Sequence, residues 1–194
     1  MIENKIYVAD DGNKYRVQLT LIDAGYTPDT VLEFCDEYEA GVVPIMGRKT
    51  AGASAKITEF WDFKTKLGTL GFNINTGLYK DRLSNSLRRE WQQGMEIQPN
   101  YHANFPQDYP DSFFEQLTVE YKAAVKNKST GQIVGYQWIR PNGAANHAWD
   151  LTVYCSAAFD MLAYEFCMVQ NEMDYIDWPF FYESCESGLY YQSS

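Results

Sequence analysis

Between residues 15 and 46 the chain reads strand, helix, strand, and this order constrains its fold more than any other feature. Tyr15-Arg16-Val17-Gln18-Leu19-Thr20-Leu21-Ile22 is rich in residues that suit a pleated backbone. Asp23-Ala24-Gly25-Tyr26 ends that strand, Thr27 is placed to cap a helix with Pro28 at its first position, and Val31, Leu32 and Cys35 share one helical face. Gly41 to Met46 then supplies a second short apolar strand. Alternating strands and helices imply an α/β fold, a sheet with helices laid against it.

The flanking segments fit this frame. Ile6-Tyr7-Val8-Ala9 precedes an Asp10-Asp11-Gly12-Asn13 turn, so a hairpin with the strand from Tyr15 opens the chain. Residues 47–56 form a basic loop of small residues, and 57–63 and 70–74 are further strands. An amphipathic helix follows over 78–91, with Lys80, Arg82, Arg88 and Arg89 on a face that is either solvated or set against a polyanion. Asp111 caps a short helix over 112–117, and residues 119–125 and 133–139 flank a Lys128-Ser129-Thr130-Gly131 turn as a second hairpin. A long helix from about 146 to 170 closes the sheet-forming part. Its apolar stripe runs through Val153, Tyr154, Ala157, Met161, Leu162 and Phe166, and Asp150 begins the same stripe.

With 194 residues, 45% of them hydrophobic, the chain can bury one sizeable core, so one domain over 1–171 and a tail over 172–194 are expected. No run of about 18 apolar residues occurs and the first residues do not form a signal peptide, which leads us to expect a cytoplasmic protein without a membrane span. Cys35, Cys155, Cys167 and Cys185 contain no close pair, and His102 and His147 are the only histidines, so the expected thiols are reduced. Metal chemistry would rest on oxygen ligands, suited to Mg²⁺ or Mn²⁺. The net charge of −10 is concentrated at one end: no Lys or Arg follows Arg140, while eight acids do, leaving only −2 on residues 1–140. That part can still present a basic face to nucleic acid.

Two acids stand out by position. Asp23 ends a sheet strand, where ligands collect in open α/β folds, and Asp150 starts a buried helical stripe, where an unpaired carboxylate is costly. Both have plainer readings, Asp23 as a turn acid and Asp150 as a favourable charge near a helix N-terminus.

Five segments resemble, in order over roughly residues 15–165, the lambda-type family of phage terminase large subunits. They are Leu21 to Cys35, Val43-Pro44-Ile45-Met46-Gly47-Arg48, Tyr79-Lys80-Asp81-Arg82-Leu83, Phe113-Phe114-Glu115-Gln116-Leu117-Thr118-Val119-Glu120 and Asn146-His147-Ala148-Trp149-Asp150-Leu151-Thr152-Val153-Tyr154. Met46 stands where the family commonly has Lys. The resemblance implies the C-terminal part of a nuclease domain: a ribonuclease-H-like mixed sheet flanked by helices, lacking its first strand, with a long C-terminal helix and an acidic aromatic tail. It implies two-metal hydrolysis of concatemeric duplex DNA with Mg²⁺ or Mn²⁺, Asp23 and Asp150 acting as catalytic metal ligands. Arg48, Lys49, Lys56, Lys80, Arg82 and His147 become candidate phosphate contacts. The implied partners are the portal protein, the small terminase subunit and the ATPase domain of the same large subunit, and the implied location is the host cytoplasm.

The family's first catalytic acid and its phosphate-binding loop find no counterpart in this sequence, so a fragment of a longer terminase or a reduced homologue is expected. The competing reading is a non-catalytic module of the same ancestry that binds portal or terminase subunits; a junction-resolvase-like nuclease is a third. The tail, residues 172–194, carries Glu172, Asp174, Asp177, Glu183 and Glu186 among seven aromatic residues, either an interface or rings packed on the chain's own core.

Overall fold

The computed structural model describes residues 6–8, 12–38, 41–48, 56–62, 69–91 and 102–187. The chain forms two compact units, one of Met1–Met46, Glu59–Phe72 and Cys155–Ser194, the other of Gly47–Thr58 and Asn73–Tyr154. Its secondary structure is mixed α/β, as the strand and helix order implied.

In the first unit, strands β1 (Ile6–Val8) and β2 (Lys14–Arg16) form an antiparallel ribbon across Gly12, whose φ of +85° suits glycine. The strand read as continuous from Tyr15 to Ile22 is divided here: β3 (Thr20–Asp23) leaves β2 and pairs in parallel with β4 (Val42–Arg48). Thr20 N donates to Gly41 O at the start of that pairing, and Ala24 N donates to Ile45 O beyond its end. The connecting helix α1 (Pro28–Cys35) has Pro in its first turn and buries Leu32 and Cys35. Thr27 occupies its cap position, but its side chain makes no capping hydrogen bond. A four-stranded sheet follows the order β3-β4-β6-β5, with β5 at Ile57–Asp62 and β6 at Thr69–Asn75.

Helix α4 (His147–Tyr164) continues as a π-helical turn over Glu165–Gln170. Its C-terminal half belongs to the first unit, where Ala163, Phe166 and Cys167 form a core with Phe181. Phe181 belongs to α5 (Trp178–Ser187), a helix inside the segment read as a tail. Phe166 stacks with Phe180 at 5.5 Å and Phe159 meets Phe181 edge-on at 5.4 Å. These rings therefore pack within the unit; Tyr190 and Tyr191 lie outside the described residues. All four cysteines are free thiols. No helix among the described residues is long and apolar enough to cross a membrane.

The second unit is built on α2 (Thr76–Leu87), α3 (Asp111–Leu117), the hairpin of β7 (Tyr121–Lys126) and β8 (Ile133–Ile139), and the first half of α4. Asn75 caps α2 by accepting from Leu78 N, so the helix begins two residues before the expected 78 and stops at Leu87, leaving Arg88 and Arg89 beyond it. Its buried residues are Thr76, Tyr79, Lys80 and Leu83, spaced i, i+3, i+4 and i+7. A lysine thus sits inside a buried stripe.

Candidate active site

Three of the family-like segments meet at that lysine. Lys80 Nζ donates to Glu120 Oε1 and Oε2 at 2.9 and 2.8 Å and lies 3.1 Å from Asp150 Oδ1. Asn146 Nδ2 donates to Glu120 Oε1 and to Asp150 Oδ2, both at 2.7 Å. Its amide oxygen accepts from Arg140 Nη1 at 3.0 Å, so both N–H donors and the carbonyl oxygen of this side chain are engaged. Two carboxylates, one ammonium and one amide form a closed network. They come from three places in the chain: Lys80 from α2, Glu120 from the residue before β7, and Asn146 and Asp150 from the start of α4.

Local structure explains the placement. Asn146 O accepts from Asp150 N, beginning the helix, and Gln116 Oε1 accepts from Ala148 N, one of the amides a helix start leaves without an internal partner. Gln116 and Glu120 come from one segment, so α3 both completes the start of α4 and delivers the second carboxylate. The neighbour of Lys80, Asp81, accepts from Lys122 Nζ at 2.7 Å and from Trp138 Nε1 at 2.9 Å, tying the hairpin to α2. Trp138 also meets Trp149 of α4 at a ring separation of 5.3 Å.

Burial is uneven across the network. Side-chain exposure is 8% for Lys80 and 4% for Glu120, whereas Asp150 keeps 36%. Asp150 is therefore the carboxylate that solvent and a substrate can reach, and Glu120 is the buried one behind it. Two carboxylates suit a hard cation such as Mg²⁺, which commonly takes one or two of them and completes its shell with water and phosphate oxygens. Among the described residues no group of three or more His, Cys, Asp or Glu side chains converges as a full cage.

The other candidate positions are more dispersed. Asp23 is exposed at the end of β3 in the first unit, where its Oδ1 accepts from Gly25 N at 2.9 Å, the local turn expected of such an acid. Arg48 Nε donates to Asn73 Oδ1, and the Arg48 carbonyl accepts from Thr76 Oγ1. Lys56 lies over the buried Tyr79 ring at 5.9 Å. Arg82 is half-buried on α2 and His147 is exposed at the start of α4; Lys49 lies outside the described residues. Lys80 does not stand on the solvated face expected for the helix charges: it is turned into the network, because its place on the stripe carries it there.

Glu120 and Asn146 were not singled out from the sequence, although both lie in segments that carried the resemblance. The available signal was a lysine and an aspartate each placed on an apolar helical stripe, since two opposite charges on buried faces call for one another.

A family model described as "Terminase large subunit gpA, endonuclease domain" matches residues 1–174 of the chain. No curated protein and no solved structure matches.

Proposed function

Because the chain belongs to the family of terminase large subunit gpA endonuclease domains, we propose that the network around Asp150 is the centre of a metal-dependent endonuclease that cuts concatemeric phage DNA during packaging. The observation that carries this reading is the meeting of Glu120 and Asp150 on Asn146 and Lys80, drawn from three separate family-like segments. The proposed fold is ribonuclease-H-like, and the proposed cofactor is Mg²⁺ or Mn²⁺.

Asp150, backed by Glu120, would hold the cation; Asp23 is proposed as a metal ligand in its own right on its family-like segment alone. When bound, divalent cations in such enzymes activate water and stabilise the leaving 3′ oxygen, in a two-metal scheme from both sides of the phosphate. The chain's own groups do the positioning. Asn146 holds one oxygen of each carboxylate, which fixes the relative orientation of the two. Lys80 supplies the counter-charge that allows two acids to share a sheltered corner. Arg48, Lys56, Arg82 and His147 are proposed as sequence-independent phosphate contacts, with Lys49 beside them in sequence. The portal protein, the small terminase subunit and the ATPase domain of the large subunit are the proposed partners, in the host cytoplasm.

The test is plasmid cleavage by the whole chain with Mn²⁺, Mg²⁺ or EDTA, beside Asp150→Ala, Glu120→Gln and Asp23→Ala. Metal-dependent nicking lost in the first two variants supports the assignment, and the third decides the role of Asp23. Folded wild-type protein that does not cut would instead favour the non-catalytic module, for which the observation is that Lys80 already contacts both carboxylates.

A further inference from the structure

From Tyr121 to Arg140 the chain contains Lys122, Lys126, Lys128 and Arg140 and not one Asp or Glu. This segment carries +4 in a chain of net −10, leaving −14 on the remainder. It is also the β7–β8 ribbon, whose strands pair only with each other among the described residues. Large side chains on it stay in water: Tyr136 is 64% exposed, Val134 62% and Tyr121 54%. A two-stranded ribbon is only marginally stable by itself, and this one is held at its base, where Lys122 and the opposite Trp138 both bind Asp81.

The far end is basic, and its turn is closed by hydrogen bonds. Asn127 Oδ1 accepts from Ser129 N and Thr130 N at 2.8 and 3.1 Å, and Gly131, at φ +71°, donates to Asn127 O at 2.8 Å. The register passes from Val125↔Gly135 to Lys126↔Ile133, which leaves Val134 as a bulge and increases the local twist. Lys126 and Lys128 are exposed here and form no ion pair among the described residues.

We propose that this ribbon is a duplex-DNA contact, with Lys126 and Lys128 against phosphates and Tyr136 and Val134 against the groove edge. A two-stranded ribbon is narrow enough to enter a major groove, and an acid-free basic strip on an acidic protein is complementary to a polyanion. The inference rests on the nuclease reading and adds to it the surface that presents the substrate.

The test is fluorescence anisotropy of a labelled linear duplex of arbitrary sequence with the whole chain in EDTA, which prevents cutting. Wild type is compared with Lys126→Ala/Lys128→Ala and Lys126→Glu/Lys128→Glu, each checked for an unchanged unfolding midpoint. Removing two phosphate contacts should make the log–log salt slope shallower by about 1.8 between about 50 and 200 mM salt, and charge reversal should weaken binding further. If wild type binds and cuts duplex but both variants bind with its slope, the ribbon inference is overturned and the nuclease reading stands. Wild type that neither binds nor cuts duplex overturns both. A change of oligomeric state on Val134→Ser/Tyr136→Ser, with DNA affinity unmoved by the lysine variants, would make the ribbon a contact between copies and overturn the proposal.

Discussion

Lys80 and Glu120 meet where neither side chain is more than 8% exposed, and the ammonium reaches both carboxylate oxygens within 2.9 Å. A buried pair of this kind is weak evidence of net stability, but removing one partner strands the other charge, at a cost of about 3–5 kcal/mol. Lys80→Met should therefore lower unfolding free energy by that amount in urea titration. Lys80→Met/Glu120→Gln should recover part of the loss. A single variant within about 0.5 kcal/mol of wild type, the range of ordinary surface substitutions, would refute the assignment.

Asn146 bridges two carboxylates by donating to both. Asn146→Asp keeps its shape but replaces two donated hydrogen bonds with a third negative charge. The expected result is a loss of about 2–4 kcal/mol in urea unfolding, together with loss of metal-dependent nicking. Wild-type stability in this variant would show that the amide does not hold the acids together.

Gly47 is close-packed rather than merely flexible. A Cβ there would stand 2.7 Å from the Tyr154 hydroxyl oxygen and 3.1 Å from Thr76 Cγ2. Gly47→Ala should cost about 1–3 kcal/mol through overpacking, and adding Tyr154→Phe, which removes the hydroxyl, should relieve much of it. Thermal unfolding of the single and double variants checks this; an additive outcome would show that the clash is not with Tyr154.

Burial, with the neighbouring Asp36 adding to it, pushes the Cys35 thiol up to about 11 from 9.0. The folded state thus keeps this thiol protonated where the unfolded chain has begun to lose its proton. Its contribution to stability is full below pH 9 and is lost as pH rises through 11. Urea unfolding of wild type and Cys35→Ala across this window should show the gap between them narrowing as pH rises. A gap independent of pH would contradict the assignment.

Phe181 is 1% exposed and packs with Ala163, Phe166 and Cys167. Phe181→Ala should cost about 3–5 kcal/mol, a core substitution rather than a change in a solvated tail. Calorimetry decides between the two, because a tail residue would leave the transition where it was.

The sequence carried the βαβ segment of 15–46 because apolar runs, Pro28 and the polar breaks between them are local signals. It did not carry the division at residues 17–19, since alternation marks a strand without naming its partner, and Thr20 pairs with Val42 instead of continuing the first ribbon. The start of α2 was missed because Asn75 ends a strand and caps a helix at once. At the site, Asp150 was legible from its place on an apolar stripe. Glu120 was not: it lies between a short helix and a strand, on no helical stripe, and its partner Lys80 stands 40 residues earlier in the chain. Lys80 was read with the helix charges, although its spacing from Tyr79 and Leu83 places it on the covered face.

Lys80 and Asp81 are consecutive on α2, yet one closes the carboxylate network and the other fastens the basic ribbon through Lys122 and Trp138. Adjacent positions on a helix point about 100° apart, as follows from 3.6 residues per turn, and the backbone between them is rigid. The carboxylate network and the foot of the ribbon are thus anchored one peptide unit apart on the same turn of α2, so a backbone change at this turn displaces the footing of both.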